Sequence, residues 1–107
     1  MYFYKEDIEL CKLKTENSKF EFHSVNRWYD DIKNNGIKNY LLVNNKNIIR
    51  LGGTRYFILK LLKTKNYTKI PCIIFSKEKI KNKKQINIKL VSKLTGLHYE
   101  KIFRSIR

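Results

Sequence analysis

The stretch Ile48-Ile49-Arg50-Leu51-Gly52-Gly53-Thr54-Arg55-Tyr56-Phe57-Ile58-Leu59-Lys60-Leu61-Leu62 reads as a strand that breaks at two glycines and turns directly into a helix. Such a junction is physically an anion site. Glycine lets the backbone turn sharply and approach a ligand, while the free N–H groups and dipole of the helix favour negative charge at its start. Thr54 can cap the helix or bond a phosphate oxygen, and Arg55 can fork two hydrogen bonds onto it. Gly52, Gly53, Thr54, Arg55 and Tyr56 are therefore the candidate phosphate-binding residues. The plain alternative is a tight turn with Arg55 paired to a surface acid.

Upstream of the junction, Tyr40 to Val43 reads as a buried strand and Asn44-Asn45-Lys46-Asn47 as the turn that returns the chain into Ile48. Before it, Val25, Trp28, Tyr29 and Ile32 recur at helical spacing from Ser24 to a stop at Asn34-Asn35-Gly36. Residues 7–13 and Phe20-Glu21-Phe22-His23 alternate apolar with polar and predict two short strands. Downstream, helical spacing runs from Thr54 to Lys65, and Ile70-Pro71-Cys72-Ile73-Ile74-Phe75 predicts a strand with proline near its start. The reading is an α+β fold with a small mixed sheet, followed by a short helical tail. Residues 1–76 form the core, 77–85 an exposed, mobile connector with five lysines between Lys77 and Lys84, and 86–107 two short helices around Gly96. In that tail Leu90, Val91, Leu94, Leu97 and Ile102 form the packing set, which fits either a helix-turn-helix or a helical cover over the sheet.

The chain has 107 residues, 24 Lys and Arg against nine Asp and Glu, and a net charge of +15. That length holds one small domain, and 42% apolar residues suffice for its core. Lys, Asn and Ile supply 44 residues and alanine is absent, the mark of an AT-rich genome such as a bacteriophage or a streamlined bacterium has. Part of the charge is therefore codon bias, and its distribution is more informative than its total, with a solvated lysine surface as the plain alternative to a binding face. Residues 1–59 carry +3 and residues 60–107 carry +12, a field that attracts polyanions. Lys77, Lys79, Lys81, Lys83, Lys84, Lys101, Arg104 and Arg107 are the candidate nucleic-acid contacts. No apolar run approaches the ~20 residues of a membrane span, and the acids Glu6 and Asp7 stand where a secretory signal would stay apolar. A cytoplasmic protein is expected. Cys11 and Cys72 both fall in strand-like segments and are expected as buried reduced thiols, and with His23 and His98 alone beside them a structural zinc site lacks ligands.

Three segments, Gly36-Ile37-Lys38-Asn39-Tyr40-Leu41-Leu42-Val43, Gly52-Gly53-Thr54-Arg55-Tyr56 and Ile70-Pro71-Cys72-Ile73, together resemble the ParB/sulfiredoxin superfamily in order and spacing over residues 24 to 75. The resemblance implies a ParB-like fold whose glycine-arginine turn holds phosphate: of CTP in partition proteins, of ATP in sulfiredoxin and a serine kinase, of DNA in ParB-like nucleases. Tyr40 stands where the family usually has proline, and Gly53-Thr54 where partition proteins have Glu-Arg, which weighs against CTP-clamp chemistry. The turn has no cysteine, which sets sulfiredoxin activity aside, and the basic C-terminal half argues against a metabolite kinase.

The reading that results is a DNA-binding protein acting as a small, sequence-nonspecific nuclease. Its alternative is a nucleotide-dependent, CTP- or ATP-binding, DNA-binding or partition module without nuclease activity. Phosphodiester hydrolysis needs a charge clamp, a base and often a carboxylate-held Mg²⁺ or Mn²⁺. Arg55 is the candidate clamp. Glu21 and His23, placed on the outward side of a strand by their alternation with Phe20 and Phe22, are the candidate water- or metal-positioning pair, with Asp30 and Asp31 as second choice.

Overall fold

A computed structural model describes residues 1–16 and 22–106, with side chains in the second stretch from Val25 onward. The elements run β1 (Tyr2–Glu9), a 3-10 turn (Leu10–Lys12), α1 (Phe22–Asn35), β2 (Leu41–Asn44), β3 (Ile49–Leu51), α2 (Gly53–Leu61), β4 (Lys69–Ser76), β5 (Gln85–Ile86), α3 (Ile88–Thr95) and α4 (Tyr99–Ser105). The five strands form one mixed sheet in the order β3-β2-β4-β1-β5, so the expected α+β class holds.

β4 is the centre of the sheet because its β-branched residues suit burial on both faces. It pairs in parallel with β2, Leu41 opposite Cys72, and antiparallel with β1, Tyr2 opposite Ser76. Its alternation separates two cores. Ile70, Cys72 and Ile74 join Leu41, Val43, Val25, Ile32 and Ile58 beneath α1 and α2, whereas Ile73 and Phe75 join Phe3, Leu42, Val91, Ile102 and Ile106 beneath α3 and α4. Pro71 lies beyond the start of β2, where β4 has a neighbour on one side only and a missing donor is tolerated.

The tail helices are thus a cover over the second face of the sheet. Asn87 caps α3 by accepting from the Leu90 amide at 2.9 Å, and Gly96 ends it at φ +71°. The Tyr40 amide donates to the Leu94 carbonyl at 2.9 Å, and the Arg50 side chain reaches the Ser105 carbonyl at 3.3 Å, tying both helices to the β2–β3 side. Leu90, expected in the packing set, is exposed instead.

Several expectations are corrected. The first strand is Tyr2–Glu9, not residues 7–13, because Leu10 to Lys12 wind into a 3-10 turn. The alternation at 20–23 does not make a strand: α1 begins at Phe22, so His23 stands on a helix, and Glu21 lies outside the described residues. α2 ends at Leu61 rather than Lys65, since Lys63 turns left-handed at φ +55°. Cys72 is buried as expected, but Cys11 is exposed on the 3-10 turn. The lysine connector is largely exposed but anchored twice, by the Ile80 amide donating to the Tyr4 hydroxyl at 2.8 Å and by Lys83 pairing with Glu6.

Candidate phosphate site at the sheet edge

β3 is an edge strand, and at its end Leu51 passes the chain to Gly52 at φ +100°, a left-handed conformation that favours glycine. Gly53 opens α2. The first backbone bond of the helix runs from the Tyr56 amide to the Gly52 carbonyl at 3.2 Å, so the Gly53, Thr54 and Arg55 amides precede the intrahelical ladder, and no acidic residue stands in the first turn.

Arg55 folds back over this turn. One guanidinium nitrogen lies 3.2 Å from where a side-chain carbon on Gly52 would begin. It pairs with no carboxylate among the described residues, and partial burial pushes the guanidinium below its usual range. An anion on the turn would supply that missing counter-charge.

Both helix layers meet at this edge. A cavity of about 160 Å³ is lined by Trp28 from α1, Leu51, the Gly52-Gly53-Thr54-Arg55 turn, Leu97 from the α3–α4 turn and Lys101 from α4. No carboxylate or imidazole is among these lining residues. The structure therefore brings together Gly52, Gly53, Thr54, Arg55 and Lys101, two sets of candidates that stand in separate segments of the sequence. Tyr56 goes elsewhere: its ring packs on the first core, with the Lys60 ammonium 5.5 Å from its centroid.

The remaining candidates are dispersed. Lys79, Lys81, Lys83 and Lys84 line a depression on the connector, next to the β5 edge of the sheet and so away from the β3 edge. Lys77 borders another hollow beside Met1 and Asn44. Arg104 is exposed and paired with Glu100 at 2.7 Å, and Arg107 lies outside the described residues. Asp31 is engaged by Asn35 at 2.9 Å and Lys38 at 3.7 Å. Among the described residues no group of three or more His, Cys, Asp or Glu side chains converges. Trp28 recurs at helical spacing with Val25, Tyr29 and Ile32 but is not among the residues of the first core. The stripe Val25, Tyr29 and Ile32, at steps of four and three, is what faces the core and leaves Trp28 at its flank.

The comparisons with known proteins come to the same architecture. A mixed five-stranded sheet with helices on both faces matches a solved structure described as the C2221 form of a Pnob8-like ParB-N domain, with a TM-score of 0.60 over 73% of this chain. The chain has a ParB-N-like fold. Sequence identity to that structure is 17%, and the match spans 31% of its chain, so the likeness is one of ParB-N architecture. No protein-family model matches the sequence, and no curated protein matches it either. No helix among the described residues of this ParB-N-like chain is long and apolar enough to cross a membrane.

Proposed function

We propose that this protein is a cytoplasmic DNA-binding protein that grips a backbone phosphate on the Gly52-Gly53-Thr54 turn, between Arg55 and Lys101. The observation that carries this reading is the half-buried Arg55 guanidinium, folded over a helix start and without a carboxylate among the described residues. The size of the cavity favours a phosphodiester over a free nucleotide. Enclosed ligand sites usually span about 300–1,000 Å³, and about 160 Å³ suits a single phosphate with its chain running out on either side. Residues 1–76 act as the phosphate-binding core, the tail contributes Lys101, and the connector lysines add salt-sensitive, sequence-independent affinity.

The test is fluorescence anisotropy with labelled DNA across a salt series. Arg55→Ala and Lys101→Ala should each weaken binding, and each should flatten the dependence of log K on log salt by about 0.9 on duplex DNA, or about 0.7 on a single strand, for every phosphate no longer neutralised. Unchanged affinity in Arg55→Ala sinks the reading.

Arg55 also favours a second reading, that of a small, sequence-nonspecific nuclease. A guanidinium short of counter-charge stabilises the charge that builds on a phosphodiester during hydrolysis. The base must then come from residues beyond the cavity lining, with Glu21 and His23 the candidates. Plasmid incubated with and without Mg²⁺ or Mn²⁺ decides the matter: nicking that disappears in Arg55→Ala supports cleavage, and intact plasmid in every lane ends it.

A further inference from the structure

Trp28 presents an indole at 38% exposure, although tryptophan is among the residues with most to gain from burial. It lies outside the core stripe of its helix, and it lines the same cavity as Arg55 and Lys101. The Arg27 guanidinium stands 5.6 Å from the ring centroid, and neither Arg27 nor Lys101 is paired with a carboxylate among the described residues. An exposed aromatic ring beside three cations that are unpaired among the described residues is the arrangement that holds a nucleobase by its flat face and the neighbouring phosphates by charge.

We infer that the nucleic acid taken by this site is single-stranded, with the base beside the Arg55-bound phosphate stacked on Trp28. The inference rests on the phosphate reading above and adds a substrate class to it. Trp28 lines the cavity beside Arg55 and Lys101, so a base adjoining the bound phosphate falls against its indole. In a duplex both faces of each base are already covered by its neighbours in the stack. A single strand leaves those faces free.

Trp28 is the one tryptophan in the chain, so its emission reports on the stacking directly. The full chain is titrated with three labelled probes of about twelve nucleotides: oligothymidylate, an abasic strand with the same phosphates, and a duplex. Oligothymidylate should quench the tryptophan and bind about tenfold more tightly than the abasic strand. The duplex should leave the emission unchanged and bind no better than the abasic strand. Trp28→Ala should erase the tenfold advantage, and Trp28→Phe, which keeps a stacking face, should restore most of it. Circular dichroism of both variants should match the parent.

Equal binding of the base-bearing and abasic strands with silent emission overturns the inference, as does preference for the duplex. In either case, abasic binding that still depends on Arg55 leaves the phosphate reading standing. If no strand binds at all, both readings fall together.

Discussion

The phenol oxygen of Tyr4 accepts a 2.8 Å hydrogen bond from the backbone amide of Ile80, linking the most buried ring of β1 to the middle of the lysine connector. Tyr4→Phe removes the acceptor while keeping the ring, which leaves the Ile80 amide without a protein partner. The expected cost is about 1–2 kcal/mol in urea unfolding. Native-state trypsin cleavage after Lys79 and Lys81 should also quicken, because one of the two anchors of that segment is gone.

Gly52 and Gly36 share a left-handed backbone, at φ +100° and +72°, but not the same surroundings. A side chain at Gly52 would collide with the Leu41 side chain and crowd Arg55, whereas nothing lies within 4 Å at Gly36. Gly36→Ala should cost about 1 kcal/mol, from backbone strain alone. Gly52→Ala should cost about 3 kcal/mol, strain plus overpacking. Parallel urea melts check the difference.

Arg55→Met separates stability from function. It replaces a desolvated charge, unpaired among the described residues, with an apolar chain of comparable length, so unfolding free energy should stay within about 1 kcal/mol of the parent or rise. DNA affinity should fall as it does for alanine. A large loss of stability would instead mean that the guanidinium serves the fold.

The two thiols should behave as opposites. Burial, then the Asp7 and Glu6 carboxylates, push the Cys72 thiol from 9.0 up to about 12, while Cys11 is exposed. A thiol reagent near neutral pH should therefore titrate one cysteine in the native protein and two in denaturant. Because the folded-state value is raised, the Cys72 contribution to stability is full below about pH 9 and declines as pH rises toward about 12, where the unfolded chain has lost a proton that the native one keeps. Stability of Cys72→Val relative to the parent should accordingly rise with pH across that window.

What the sequence makes legible follows from how local each signal is. The Gly52-Gly53 break, the helix from Thr54 and the strand at Ile70 to Phe75 announce themselves within a few residues, and the structure has all three. β1 is misplaced by its alternation because the polar residues Lys5, Glu6 and Asp7 mask a strand whose burial is set by partners far along the chain. The site is half legible for the same reason. The turn and Arg55 are contiguous, but Trp28, Leu97 and Lys101 reach the cavity through α1 and the tail, and only the packing of helices on both faces of the sheet brings them to one edge. The helical spacing that includes Trp28 does not distinguish the centre of a stripe from its flank.

The place of β1 between β4 and β5 has a consequence for biosynthesis. Its neighbours are Lys69–Ser76 and Gln85–Ile86, so the first of the five strands to be synthesised has no partner in the sheet until α1, β2, β3 and α2 have followed it. During that interval Phe3, Tyr4 and Ile8 travel on an unpartnered ribbon, and closing so long a loop is slow. The nascent chain is thus most open to aggregation and to chaperone capture before Ser76 emerges, and the whole sheet is completed only in its final act of assembly.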